Sequence, residues 1–269
     1  MRHWLLLLLY CGFFSVSAQE PYFPPLSGNV WETIAPSALG WRQDKLEALL
    51  KYLGKEDTKA FIVLYDGRIA IEQYYGSFTR DSLWYWASAG KSLRAFLVGQ
   101  AQEEGLLNIN DLSSKYLGSG WTSAPRAKED LITIRHQLTM SSGLDDNLGD
   151  DDCTLPSCLQ YKADAGTRWA YHNAVYTLLK DVLEKASGMN INQFTNSRIR
   201  NKTGMGGLWL QTGNNNIYFS NARTMARYGW LISNKGIWNR DTLMRDTAYF
   251  RQMVTPSQKT PCTFTIASH

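Results

Sequence analysis

The chain has 269 residues, 44% hydrophobic and 19% charged, with 10 Trp, 14 Tyr and 10 Phe. That composition excludes a disordered polar chain and suits one large domain, or two interleaved lobes, around a sizeable core. Lys and Arg number 28 against 24 Asp and Glu, a formal charge of +4, and the basic residues form no block, which argues against a nucleic-acid partner.

At the start, Arg2 and His3 precede an apolar run from Trp4 to Phe14 and a small-residue stretch ending at Ala18. This pattern predicts a signal peptide over 1–18, hence a secreted or periplasmic protein. The run is too short to span a bilayer, so no stable membrane anchor is expected. Residues 19–40, with Pro21, Pro24, Pro25 and Pro36, read as an extended lead-in across the surface. Leu46, Leu49, Leu50 and Leu53 then predict an amphipathic helix over 42–53, ending near Gly54.

Ala60–Tyr65 and Arg68–Tyr75 are β-rich and separated by Asp66-Gly67, a strong hairpin signal. Helical spacing follows over 88–104, 133–140, 173–186 and 221–233, the last with Ser220 as the expected N-cap. No convincing strand is expected after residue 212. Strands first and helices after predict an α+β protein with a helical lobe inserted after the first hairpin.

Cys11 would leave with the signal peptide and Cys262 lies near the end, so Cys153 and Cys158 form the natural disulfide pair. Metal binding is not expected, because the chain contains no CxxC, HxH or HExxH pattern. Asp145, Asp146, Asp150, Asp151 and Asp152 lack the alternation of a calcium loop and read as a solvated segment. His136 and His172 read as structural, since no Gly-x-Ser-x-Gly elbow accompanies them. Trp84, Trp86 and Trp169 are explained by core packing, with cleft-lining aromatics as the alternative.

Two short constellations could carry chemistry. In Ser88-Ala89-Gly90-Lys91, a serine and a lysine three apart share one helix face. A desolvated Lys91 could take the Ser88 proton, and the Ser88 N–H at the helix start could stabilise an oxyanion. Such a spacing arises by chance about once in a chain of this length. In Tyr171-His172-Asn173, the tyrosine could act as a phenolate base or proton relay and the asparagine could position a carbonyl or the lysine. Taken alone, a buried tyrosine and an asparagine capping a helix from Ala174 are the simpler explanation.

The order of motifs changes that balance. Ser88-Ala89-Gly90-Lys91, Glu104-Gly105-Leu106-Leu107, the stretch Ile132 to Leu144 and Gly166 to Asn173 follow one another here, an order that resembles class C β-lactamase-like serine hydrolases. Ser220 to Gly229 is similar to that family's next helix. The resemblance runs from about residue 40 to 258. It implies a β-lactamase/transpeptidase-like fold, with an antiparallel sheet lobe, an inserted helical lobe and a cleft between them.

The same resemblance implies Ser88 as the acylated nucleophile and Lys91 as its proton partner. Tyr171 would be the base that activates Ser88 and then water, and Asn173 a substrate-positioning amide. It implies no cofactor and a small ester, amide or peptide substrate. Lys202-Thr203-Gly204 matches the family's third motif in letters, but its surroundings read as a turn closing a helix. Residues 260–269 do not resemble the family's continuation. We therefore expect a hydrolase domain over 41–259 that lacks its C-terminal sheet strands, followed by an atypical tail over 260–269. A non-catalytic or broken member, ligand-binding at most, is the alternative expectation.

Overall fold

The computed structural model describes residues 20–258. The expected signal peptide, Cys11, Cys262 and the 260–269 tail lie outside the described residues. Strand β1 (Ala60–Tyr65) and strand β2 (Arg68–Tyr74) pair antiparallel from Ala60 opposite Tyr74 to Tyr65 opposite Arg68, with an irregularity between Val63 and Leu64. Their turn places Asp66 at φ 46° and Gly67 at φ 82°, the left-handed pair whose twist matches that of the strands. Glycine is required twice over at position 67, since a Cβ there would stand 1.8 Å from the Tyr22 carbonyl oxygen.

The lead-in is mostly exposed, and that close approach ties it to the lobe. Tyr22 N–H donates to Asp66 O at 2.9 Å, and buried Trp31 donates its indole N–H to Gly67 O at 2.7 Å. Ile69 N–H donates to Glu32 O and Ile34 N–H to Ile69 O, both at 2.9 Å. The lead-in thus satisfies backbone groups along the outer side of β2 that would otherwise remain open.

Helix α1 (Gln43–Lys55) runs one turn-fraction past the expected Gly54 and buries no residue fully. Helix Ala222–Ser233 packs on β1 and is tied to β2 by a bidentate Arg223–Glu72 pair at 2.6 and 2.7 Å. The N-cap of that helix is Asn221, whose side chain accepts from Thr224 N–H at 2.9 Å, and not Ser220. Ser220 is occupied elsewhere, accepting the Trp86 indole N–H at 2.7 Å.

A second sheet corrects the expectation of no strand beyond residue 212. β3 (Trp84–Tyr85), β4 (Leu208–Thr212) and β5 (Asn215–Ser220) form an antiparallel sheet with β5 in the centre. Two asparagines at the start of β5 lower its apparent strand propensity. Its alternation is nevertheless regular, since Asn216, Tyr218 and Ser220 are buried and the residues between them are half-buried. Polar residues on the inward face concealed the pattern.

Helix α2 (Gly90–Glu103) runs through the core, with Leu93, Phe96, Leu97, Val98 and Ala101 all without exposure. Apolar side chains cover it on nearly every side, as in a fully buried helix. Its partners in one continuous core include Tyr176, Leu179, Phe194, Ile199, Trp209, Tyr218 and Leu231. Lys202-Thr203-Gly204 lies on no strand: Asn201–Thr203 is a helical turn that ends at left-handed Gly204, and Thr203 is buried.

Candidate active site

The start of α2 is prepared by a short strained turn. β3 hands over to a 3₁₀ turn at Ala87–Ala89, and Ala87 sits at φ 46°, a conformation that costs about 1–3 kcal/mol in a non-glycine residue. Trp86, buried beneath it, holds the turn from below with its N–H on Tyr218 O at 2.8 Å and its indole on Ser220. Ser88 is thereby presented outward at the head of a helix that the core grips along its length. One turn later the same helix face carries Lys91.

Tyr171 and Asn173 arrive from the segment that opens helix Asn173–Thr177. Ala170 N–H donates to Met140 O at 3.0 Å and Ala174 N–H to Asp151 O at 2.8 Å, fixing that segment on both sides. All four candidate residues meet. Ser88 Oγ lies 2.6 Å from the Tyr171 hydroxyl, and Lys91 Nζ donates to Asn173 Oδ1 at 2.7 Å and to Ser88 Oγ at 3.3 Å. Lys91 Nζ also stands 5.1 Å from the Tyr171 ring centroid and 5.8 Å from that of Tyr176.

This geometry overturns the simpler explanation of the Tyr-x-Asn pair. Tyr171 is 46% exposed rather than buried. His172 occupies the N-cap position without a capping bond, and the Asn173 side chain is held by Lys91 instead. Burial pushes the Tyr171 phenol up, but hydrogen bonds with Ser88 and Lys91, together with the Lys91 charge, outweigh it and hold the pKa below that of an ordinary tyrosine.

Two further residues adjoin this cluster without a motif that marks them. Tyr176, one helical turn beyond Asn173, donates its hydroxyl to Lys91 O at 2.8 Å. Arg94 on α2 donates to Asn216 O at 2.9 Å and to Asn216 Oδ1 at 2.8 Å. The spacing of Lys91 and Arg94 along one helix, and of Asn173 and Tyr176 along another, was the available signal. A cavity of about 130 Å³ opens beside Ser88 and Lys91.

The aromatic residues divide. Trp86 packs in the core, but Trp84 and Trp169, both 44% exposed, do not. Trp84 stacks on Tyr85 with centroids 5.2 Å apart and meets Phe78 edge-on at 5.9 Å. The aspartate stretch divides: Asp145 pairs with Lys162 at 2.7 Å and Asp146 with Arg168 at 2.6 Å, while among the described residues Asp150, Asp151 and Asp152 form no ion pair. Among the described residues no group of three or more His, Cys, Asp or Glu is placed to hold a metal ion.

Cys153 and Cys158 are joined by a disulfide. The bond closes the loop that directly follows Asp151 and Asp152, where Asp151 O receives Ala174 N–H and Asp152 Oδ1 receives Asn215 Nδ2 at 3.1 Å, so it braces the segment that contacts both the Asn173 helix and β5. Closing so short a loop contributes roughly 2 kcal/mol by chain entropy. Both thiols should resist alkylation by iodoacetamide until reduced, and reduction should lower the melting temperature. Free alkylation of both in the unreduced protein contradicts the brace.

His172 adds a pH dependence to the same segment. Its ring is buried with Nδ1 unpartnered, and burial pulls its pKa below 6.5 against the opposing charges of Asp146, Asp151 and Asp145. The folded imidazole is therefore neutral where the unfolded one binds a proton, so stability is complete above pH 6.5 and is lost as pH falls below it. Melting temperatures between pH 7.5 and 5 should fall less steeply for His172→Gln than for the wild type. His136, also depressed by burial, is common to both proteins. Equal slopes contradict the assignment.

Comparison with known proteins places the fold and the family. The octameric penicillin-binding protein homologue of Pyrococcus abyssi superposes with a TM-score of 0.61 at 18% identity, covering 80% of this chain and 60% of that one. The D-stereospecific amidohydrolase from Streptomyces sp. gives 0.53 at 15% identity and 69% coverage of both chains. These likenesses show a β-lactamase/transpeptidase-like fold of mixed helix and antiparallel sheet.

In sequence, penicillin-binding protein 4* of Bacillus subtilis is 29% identical over 141 residues, 46% of this chain and 30% of that protein. The matched stretches span only 30% to 37% of the curated relatives' own lengths. The beta-lactamase family model matches residues 47–260. With most of its length inside that match, the chain belongs to the β-lactamase family, whose members are generally serine hydrolases.

Proposed function

We propose that this chain is a serine hydrolase that cleaves a small ester or amide through an acyl-enzyme on Ser88, within a hydrolase domain over 41–259. The observation that carries the reading is the 2.6 Å contact between Ser88 Oγ and the Tyr171 hydroxyl, with Lys91 behind both. Tyr171 as phenolate takes the Ser88 proton while Oγ bonds to the substrate carbonyl carbon. Lys91 favours that phenolate by its charge and is itself oriented by Asn173 Oδ1. The Ser88 N–H at the head of α2 donates to the developing oxyanion. As the tetrahedral intermediate collapses, the carbonyl–leaving-group bond breaks and Tyr171 returns the proton to the departing oxygen or nitrogen. Water, deprotonated by Tyr171, then attacks the acyl-enzyme and restores Ser88.

Residues 1–18 support secretion or a periplasmic location, and the Cys153–Cys158 bond suits an oxidising compartment. No helix among the described residues is long and apolar enough to cross a membrane. A second reading, ligand binding without turnover, draws on one observation: among the described residues β1 and β2 form a sheet of two strands only. Short-chain esters and a chromogenic cephalosporin, supplied in excess, distinguish the two. Repeated turnover supports the hydrolase. Binding of the same compounds by folded protein with no release above the uncatalysed rate contradicts it and favours the second reading.

A further inference from the structure

The cavity beside Ser88 contains a cation that the catalytic scheme leaves unused. Arg94 is 2% exposed and sits on the helix whose neighbouring positions, Leu93, Phe96 and Leu97, are entirely apolar and buried. Its guanidinium packs 4.6 Å from the Trp209 ring centroid. Among the described residues Nη2 alone has partners, the Asn216 backbone and side-chain oxygens, while Nε is buried with none. Among the described residues no carboxylate forms an ion pair with Arg94. Burial draws its pKa down to about 10, opposed by Tyr176, Asp181 and Glu184, so it remains a cation at neutral pH.

Arg227 shows what a purely structural buried arginine looks like in this fold. It donates to the carbonyl oxygens of Pro24, Pro25 and Thr203 and lies near the rings of Trp31 and Trp238. It is not among the residues lining the cavity beside Ser88. Arg94, by contrast, lines the cavity of about 130 Å³ together with Ser88, Lys91, Asn173, Trp209 and Asn216. A buried, under-partnered cation is costly unless an anion reaches it. Guanidinium donors match a carboxylate better than any neutral group does.

We propose that Arg94 is a specificity-determining residue that binds a carboxylate on the acyl part of the substrate. The preferred substrate is then an ester or amide whose short acyl chain ends in a carboxylate a few bonds from the scissile carbonyl. The acyl part is the one concerned because it stays bonded to Ser88 Oγ until deacylation, and Ser88 lines the same cavity. The volume equals about four waters at liquid density, room for a chain of three or four carbons. This inference rests on Ser88 as the nucleophile.

The test compares monomethyl succinate with methyl butyrate, an anionic and a neutral acyl chain of equal length with the same leaving group. Wild type should favour the anion by about 10-fold or more in kcat/KM, chiefly through KM, the range expected of a charged hydrogen bond. Arg94→Gln should bring the ratio close to unity, and Arg94→Lys should keep part of the preference. In wild type alone, free succinate should slow labelling of Ser88 by a fluorophosphonate, and butyramide should not.

Labelled Ser88 with no anion preference, or with no protection by succinate, overturns the role of Arg94 and leaves the hydrolase reading standing. An unchanged ratio in a folded Arg94→Gln protein reduces Arg94 to a strut between α2 and β5. Absence of labelling at Ser88 in folded wild type overturns the nucleophile assignment, and the inference with it.

Discussion

Ser88→Ala should lower kcat/KM on any ester that the wild type turns over by about 10⁴-fold or more, the scale seen when a nucleophile acting with its base is deleted. Stability should barely change. Ser88 is exposed, and the helix it heads is held by Leu93, Phe96 and Leu97 rather than by its hydroxyl. The hydroxyl's partners are Tyr171 and Lys91, both of which remain reachable by water or by each other when it is gone. Steady-state rates alongside thermal melting give the answer. A loss below 10-fold in a protein of unchanged melting temperature assigns the nucleophile elsewhere.

Tyr171→Phe should cost about 10²–10⁴-fold, the usual contribution of a positioned general base, again with little effect on folding because the ring is half exposed. Its pH signature is more specific. A base must be deprotonated to act, and the Tyr171 pKa is held below 10 by Ser88 and Lys91 despite burial. For wild type, kcat/KM should therefore rise with pH along a limb that levels off below pH 10. Lys91→Met removes the charge that depresses the phenol, so its residual activity should show that limb displaced to higher pH. The limb should vanish in Tyr171→Phe. A profile flat from acid to neutral pH in the wild type, or a limb unmoved in Lys91→Met, contradicts Tyr171 as the base.

Local rules served the sequence reading well where one residue's chemistry decides the outcome. Asp66-Gly67 demands a left-handed pair and obtains one. The Leu93, Phe96 and Leu97 periodicity demands a buried face, which α2 has. Ser88 and Lys91 needed only helical spacing to share a face. Tyr171 and Asn173, however, could not be separated from a buried tyrosine and a cap by their own letters. What distinguishes them is Lys91, contributed by a distant part of the chain.

The failures have the same character. β5 is a strand because Arg94 satisfies Asn216 and Trp86 satisfies Ser220, partners far away in sequence that let polar residues point inward. Ser220 lost the N-cap to Asn221 for the same reason. The bonds of Trp31 and Tyr22 to the hairpin turn, which tie the exposed, proline-rich lead-in to the sheet lobe, were likewise out of reach of local rules. Trp84 and Trp169 are exposed because the segments carrying them lie at the surface, a position that composition cannot convey.

Ser88 as the nucleophile is tested most directly by peptide mass spectrometry of folded protein treated with a fluorophosphonate. One adduct is expected, on the peptide containing Ser88, absent from Ser88→Ala and formed much more slowly by Tyr171→Phe. An adduct on another serine, or none on folded wild-type protein, contradicts it.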